Sequence, residues 1–218
     1  VHTSHGSYLL KRRAINKDVQ QQVKVAHEVQ HHLSKHRFPV AGLVETVEGG
    51  TYVEHEGRIY ELFKYIKGNR FDKSNPAAAE AGRILAHFHD LLREYPEEEV
   101  LKQTSYHQGN SVQRVLDELM TSMQPHESAE ALVGIEKIVE YLETQYTEAS
   151  DLVEASELHS MPKGIVHADW HPGNMLYKDG EIIAVIDFDS IRISPRITDI
   201  ANGVLQFSMR VGETEEVE

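Results

Sequence analysis

Apolar positions along this chain follow two periods, and the places where the period changes divide it. Across residues 18–36 the apolar residues Val19, Val23, Ala26, Val29 and Leu33 recur three or four apart, one face of a helix with Asp18 as its N-cap. A short β-prone run, residues 7–12, precedes that helix. Three more runs follow at 43–48, 51–55 and 58–66, punctuated by Gly49-Gly50 and Glu56-Gly57, which predicts a meander of antiparallel hairpins.

After Lys67-Gly68-Asn69 the pattern turns helical. Asn75-Pro76 is a helix-start signal, and Ile84, Leu85, Phe88, Leu91 and Leu92 form a stripe that ends near Tyr95-Pro96. Val112, Val115, Leu116, Leu119, Met120 and Met123 predict a further helix, and Leu132, Ile135, Ile138, Val139 and Leu142 a long one. The strand period returns at 164–166, before a polar loop at 167–173. Residues 175–177 and 182–188 then read as two strands around the turn Lys178-Asp179-Gly180. Ile197, Ile200, Ala201, Val204 and Leu205 mark a last helix. The expected fold class is α+β, with a small antiparallel β lobe at residues 1–67 and a larger, mainly helical lobe at 68–218 that contains one β-hairpin.

Composition narrows the classes of partner. The 218 residues carry 35 Asp plus Glu against 22 Lys plus Arg, a formal net charge of -13. So negative a surface repels a phosphate backbone, so nucleic acid is not an expected partner, whereas a cationic substrate is tolerated. With no cysteine there is neither a disulfide framework nor a thiolate metal site, a composition that suits the cytoplasm. No apolar run approaches the roughly 20 residues of a membrane span. The first residues, Val1 to Gly6, contain neither an initiator Met nor an apolar signal core, and the chain is expected to begin partway into a domain. The acidic run 213–218 reads as a solvated end.

The chemistry lies in the second half. His167-Ala168-Asp169-Trp170-His171-Pro172-Gly173-Asn174 has the form H-x-D-x-x-x-x-N, and Asp187 stands thirteen residues beyond Asn174 at the end of an apolar strand. Phosphoryl transfer needs such a set, because catalysis there is mainly positioning and charge neutralisation. One carboxylate orients the attacking hydroxyl, while a second carboxylate and an amide oxygen hold Mg²⁺ against the phosphates. Lys11, at a strand end, has an ammonium that can reach nucleotide phosphates, and Glu28 on the next helix can pair with it. The alternative for Lys11 is a solvated lysine, with Arg12 as its competitor. The run Glu61-Leu62-Phe63-Lys64-Tyr65-Ile66 joins the lobes, so its backbone can meet an adenine edge.

These residues resemble the aminoglycoside phosphotransferase/choline kinase-like superfamily, which includes type II homoserine kinases and spore-coat kinase-like proteins. The resemblance rests on 167–174, on Ile186-Asp187-Phe188-Asp189, on 195–201, and on the helix containing Ala81 to His89. It implies a protein-kinase-like bilobal fold, ATP and Mg²⁺ as cofactors, and a small hydroxyl-bearing acceptor such as an amino alcohol, an aminoglycoside or homoserine. By the same resemblance Asp169 is the catalytic base, Asn174 and Asp187 bind magnesium, and Lys11 contacts the phosphates with Glu28 in support. Phe63, Lys64 and Tyr65 belong to the nucleotide side. His167 joins the catalytic set, bracing the loop with Asp199.

The chain departs from the family in three places. Ala168 replaces the usual Gly, a mild change where φ is negative. The glycine-containing phosphate loop before the lysine strand is missing, and so are the helices after the Asp199 segment; truncation at both ends is the expected reason. Two rival functions follow: a nucleotide-binding pseudokinase or structural spore-coat-type protein, and a zinc metallopeptidase using His27-Glu28-Val29-Gln30-His31, an H-E-x-x-H pattern. Several roles stay open: Asp189 as an acceptor contact, a second metal ligand or a solvated acid; His171 as a phosphate contact or loop packing; Trp170 as a pocket wall or core; His87 and His89 as packing or surface residues.

Overall fold

The computed structural model describes residues 1–14, 17–96, 111–123 and 128–209. The chain divides into two compact units, residues 1–101 with 163–218, and residues 102–162. The acidic run 213–218 lies outside the described residues.

In the first unit β1 (His2–Thr3), β2 (Gly6–Ala14), β3 (Val53–His55) and β4 (Arg58–Lys64) form an antiparallel sheet in the order β1-β2-β4-β3. Along β4, burial alternates so that Ile59, Glu61 and Phe63 face inward. Lys11 lies opposite Glu61 and Arg13 opposite Ile59 across the ladder, which puts all of these side chains on one face. Glu56 (φ 47°) and Gly57 (φ 66°) close the β3–β4 hairpin in the left-handed region that two-residue hairpin turns need.

The run 43–48 is not the expected strand. Leu43 bridges Phe63, and the chain then turns, with Thr46 Oγ1 accepting the N–H groups of Glu48 at 3.3 Å and Gly50 at 3.0 Å. Of its apolar residues only Leu43 and Val44 are half-buried against β4, and Val47 is wholly exposed.

Helix α1 (Lys17–Lys35) starts one residue before the expected cap and buries Val23, Ala26, Val29 and Leu33. Helix α2 (Asn75–Leu91) is capped by Ser74, whose Oγ accepts the Ala77 N–H at 3.2 Å. Its Ala81, Ile84, Leu85 and Phe88 meet Val29 and Leu33 of α1 in the core, together with Ile165, Trp170, Met175, Val185 and Phe188. Each large apolar side chain removed from water there contributes about 1.5–3 kcal/mol.

Strand β5 (Lys163–Val166) pairs with β8 (Arg192–Pro195), and β6 (Met175–Lys178) with β7 (Glu181–Val185) through the expected turn at Asp179 and Gly180. Asn69 and Tyr177 exchange backbone hydrogen bonds of 2.7 and 2.9 Å, tying the segment after β4 to the second hairpin. Helix α5 (Ile197–Ser208) turns Asp199 and Gly203 inward and leaves Ile200, Val204 and Leu205 exposed.

The second unit holds α3 (Ser111–Met123) and α4 (Ala129–Ala155). Leu116 and Val139 are buried in it, and Gln113 Nε2 donates to Glu143 at 2.7 Å. Among the described residues no helix is long and apolar enough to cross a membrane.

Candidate active site

Strand β5 carries the chain into the loop that begins at His167, and α5 holds that loop from below. The two carboxylate oxygens of Asp199 accept the His167 and Ala168 backbone N–H groups at 2.9 and 2.8 Å. His89 Nε2 on α2 reaches the same carboxylate at 3.0 Å, so His89 is a buried partner of the brace. Ala168 stands at φ 62°. The condition under which the change from Gly is mild, a negative φ, is thus not met: a side chain occupies the left-handed conformation that glycine adopts without strain.

His167 is fully buried among Phe88, Trp170 and Phe188, with the Ile186 backbone the one polar group near its ring nitrogens and no bond of good geometry to them among the described residues. Burial holds its pKa below the ordinary histidine value, against the pull of Asp199, Asp169 and Asp187 towards the charged form. Trp170 is a core residue. Gly203 makes room for it, since a Cβ there would meet Trp170 Cδ1 at 3.2 Å.

Asn174 Nδ2 donates to the backbone carbonyl and to Oδ2 of Asp169 at 3.0 and 2.9 Å. A carboxylate only accepts, so the amide nitrogen must face Asp169, and Oδ1 is the amide atom left for a cation. The Ile186 N–H donates to the Asn174 carbonyl at 3.0 Å, which brings the residue before Asp187 beside the loop. Asp187 follows at φ 63°, ψ 68°, a conformation that Asp tolerates better than most residues. His171 accepts the Gly173 N–H through Nδ1 at 3.0 Å, and its Nε2 lies 3.4 Å from Asp169 Oδ2.

The sheet supplies the cations. Lys11 Nζ donates to Asp187 Oδ1 at 2.9 Å and to Asp189 Oδ2 at 2.7 Å. Arg12, its expected competitor, is exposed on the other face of the strand. Glu28 is not the partner of Lys11: it is exposed on the face of α1 opposite the buried stripe, and the structure does not bring the two together. Asp189 pairs with Lys11 and Arg13 and remains partly exposed at the cavity wall.

Glu61 and Arg13, whose side chains were assigned no role from sequence, form the centre of this network. Glu61 is buried and accepts from Arg13 Nε and, at 2.9 Å, from Arg13 Nη2, while Arg13 Nη2 also reaches Asp189 Oδ1 at 2.7 Å. His27 Nε2 meets Glu61 Oε1 at 2.9 Å, and its Nδ1 meets Thr51 Oγ1 at 2.7 Å. With both ring nitrogens engaged and His31 exposed, the H-E-x-x-H pattern lacks the ligand pair that zinc requires. Burial works to raise the Glu61 and Asp189 pKa values, but hydrogen bonds outweigh it, from His27 and Arg13 to the first and from Arg13 and Lys11 to the second. Both end below the ordinary carboxylate range. The same bonds raise the Arg13 pKa against burial.

Lys11, Glu61, Phe63, Asp187 and Asp189 line a cavity of about 500 Å³ together with Leu9, Tyr65, Ile66, Gly68, Leu176 and Ile186. Of the expected adenine-facing run, the Lys64 N–H is bonded to Gly42 O at 2.8 Å and the Tyr65 N–H to Ser7 O at 3.1 Å. Ile66 is the next residue whose N–H has no backbone acceptor among the described residues.

Residues 1–217 match the profile of the phosphotransferase enzyme family, APH. The chain is 27% identical over 180 residues to stress response kinase A of Salmonella choleraesuis, and equally to the serine/threonine protein kinase RdoA of Salmonella typhimurium; these matches take in 82% of the chain and 50% of each relative. The chain thus spans about half the length of the curated relatives it matches. Among solved structures, an aminoglycoside phosphotransferase from Alicyclobacillus acidocaldarius is 21% identical with a TM-score of 0.64, over 92% of this chain and 61% of that one. Amicoumacin kinase hAmiN, in complex with AMP-PNP and Ca²⁺, is 18% identical at TM-score 0.67, over 95% and 60%. Spectinomycin phosphotransferase APH(9)-Ia, in complex with ADP and spectinomycin, is 14% identical at TM-score 0.69, over 91% and 61%. At these identities the likeness establishes the bilobal kinase-like fold.

Proposed function

The chain belongs to the phosphotransferase enzyme family, and from that premise we propose that the protein transfers the γ-phosphoryl group of ATP, with Mg²⁺, to a hydroxyl of a small molecule. One observation carries the reading. A mostly apolar cavity of base-binding size has Lys11 and Asp187 in its wall, and the backbone bond from Ile186 to Asn174 brings the Asn174–Asp169 pair beside it.

In this reading residues 1–67 form the nucleotide side and 68–218 the catalytic and acceptor side. Phe63, Leu176 and Ile186 cover the faces of the base, and the backbone beyond Tyr65 meets its edge. Asn174 Oδ1 and the Asp187 carboxylate are hard oxygen donors suited to magnesium, and the Lys11 ammonium 2.9 Å from Asp187 is in keeping with a cation there. When bound, the metal would neutralise phosphate charge as the transferred group loosens. Lys11 supplies a second positive charge, able to turn from Asp187 to the phosphates. Asp169, oriented by Asn174 and half exposed, accepts the hydrogen bond of the acceptor hydroxyl and takes up its proton as the hydroxyl oxygen bonds to the γ-phosphorus and the bond from that phosphorus to the bridging oxygen of ADP breaks. Asp199 fixes the loop from which Asp169 projects.

The test is transfer of labelled γ-phosphate from Mg-ATP by the full-length protein to amino alcohols, homoserine, aminoglycosides and a serine-containing peptide, the last because one relative is named a protein kinase. Turnover on a small alcohol supports the reading. Turnover on the peptide alone replaces the acceptor class, and nucleotide binding without turnover on any acceptor supports the pseudokinase.

A further inference from the structure

Lys11 rests on two carboxylates, and one of them is itself anchored. We propose that Arg13 and Glu61 are the positioning residues of the phosphate-binding lysine, a strand-borne chain Glu61–Arg13–Asp189–Lys11 that does the work the sequence assigns to a helix glutamate. The inference rests on the nucleotide reading above.

Geometry sets the order of the chain. Lys11, Arg13 and Glu61 share the inward face of β2 and β4, yet the cross-strand partner of Glu61 is not its ionic partner. Arg13, one alternation further along, takes both oxygens of Glu61 and extends to Asp189 through Nη2 at 2.7 Å and Nη1 at 2.6 Å. Only a guanidinium has enough donors in one plane to bridge two carboxylates in this way; a lysine is a single point charge. Glu61 lies between Ile59 and Phe63, where an unpaired carboxylate is very costly, so its place depends on Arg13 and on His27 from α1. The chain therefore ties α1, β2, β4 and the turn at Asp189 to one another.

The charges explain what the arrangement does. Lys11 and Arg13 face the three carboxylates Glu61, Asp187 and Asp189, so the cluster keeps a net negative charge, available to a metal at Asp187 once Lys11 turns to a phosphate. Lys11 can release Asp187 and reach a phosphate while keeping Asp189 at 2.7 Å, because Arg13 holds Asp189 independently. Without Arg13, Asp189 loses its fixed position and its negative charge opposes the incoming phosphates.

The experiment measures the Mg-ATP dissociation constant by calorimetry, and Tm alongside, for the full-length protein and its Arg13→Lys, Glu61→Gln and Glu28→Gln variants. A further variant combines Arg13→Met with Glu61→Met. Arg13→Lys and Glu61→Gln are expected to raise Kd about tenfold or more, the scale of one charged hydrogen bond, and Glu28→Gln to leave it unchanged. The double variant removes both buried charges together, so Tm recovers while nucleotide affinity does not. Recovery of affinity together with Tm overturns the proposal, as does a rise in Kd for Glu28→Gln alone. Wild-type affinity in the Arg13 and Glu61 variants defeats this inference and spares the kinase reading, whereas a wild-type protein that does not bind Mg-ATP defeats both.

Discussion

Asp199 Oδ1 accepts the N–H of Ala168 at 2.8 Å while Ala168 stands at φ 62°. The bond that secures the loop thus also holds a strained residue. A left-handed residue with a Cβ costs roughly 1–2 kcal/mol, part of which glycine gives back through its greater freedom in the unfolded chain. Ala168→Gly is therefore expected to stabilise the protein by about 0.5–1 kcal/mol, a rise in Tm of a few degrees. A fall in Tm in a thermal melt contradicts the strain at Ala168.

His167 gives stability a pH dependence whose sign follows from burial. Its native pKa lies below the ordinary value of 6.5, so at pH values beneath 6.5 the unfolded chain binds a proton that the folded one refuses. Stability from this site is complete above 6.5 and is lost as pH falls below it, by about 1.4 kcal/mol per pH unit until the native value is reached. Denaturant titrations from pH 7.5 to 5 on wild type and His167→Phe measure it. The variant should lose that part of the slope, and identical slopes would contradict it.

Gly68 sits where two chain segments touch. A Cβ there would meet Leu176 Cβ at 2.8 Å and Tyr177 O at 3.2 Å, and neither atom is the free end of a flexible side chain. Gly68→Ala is expected to push the segment after β4 away from β6, costing about 1–3 kcal/mol and weakening nucleotide binding in the cavity that both line. Wild-type Tm and nucleotide affinity would show that the contact relaxes freely.

Much of the local structure around the candidate site was legible in the sequence, and the misses have identifiable causes. The β6–β7 hairpin and its turn at Asp179 and Gly180 stand where the change of period places them, with Asn174 bonded to Ile186 at their base. Glu28 was misplaced by motif order, although at ~100° per residue the stripe of Val23, Ala26 and Val29 already turns position 28 outward and position 30 inward, with 27 on its flank. Glu61 carried a signal too, as an acid on the inward parity of β4 between Ile59 and Phe63, and Arg13 shares the parity of Lys11. For the backbone angle of Ala168 the one signal was the glycine that the resembled family carries there. A left-handed φ at a non-glycine residue is imposed by partners distant in sequence, here the carboxylate of Asp199.

The most direct test of the whole account is Asp169→Asn in the full-length protein, assayed for phosphate transfer to the best acceptor found. An amide keeps the shape of the side chain but cannot take up the hydroxyl proton, so turnover should fall by about 10²–10⁴ while the Mg-ATP dissociation constant stays at the wild-type value. Turnover unchanged in that variant would contradict the assignment of Asp169 as the base and, with it, the mechanism built around the 167–174 loop.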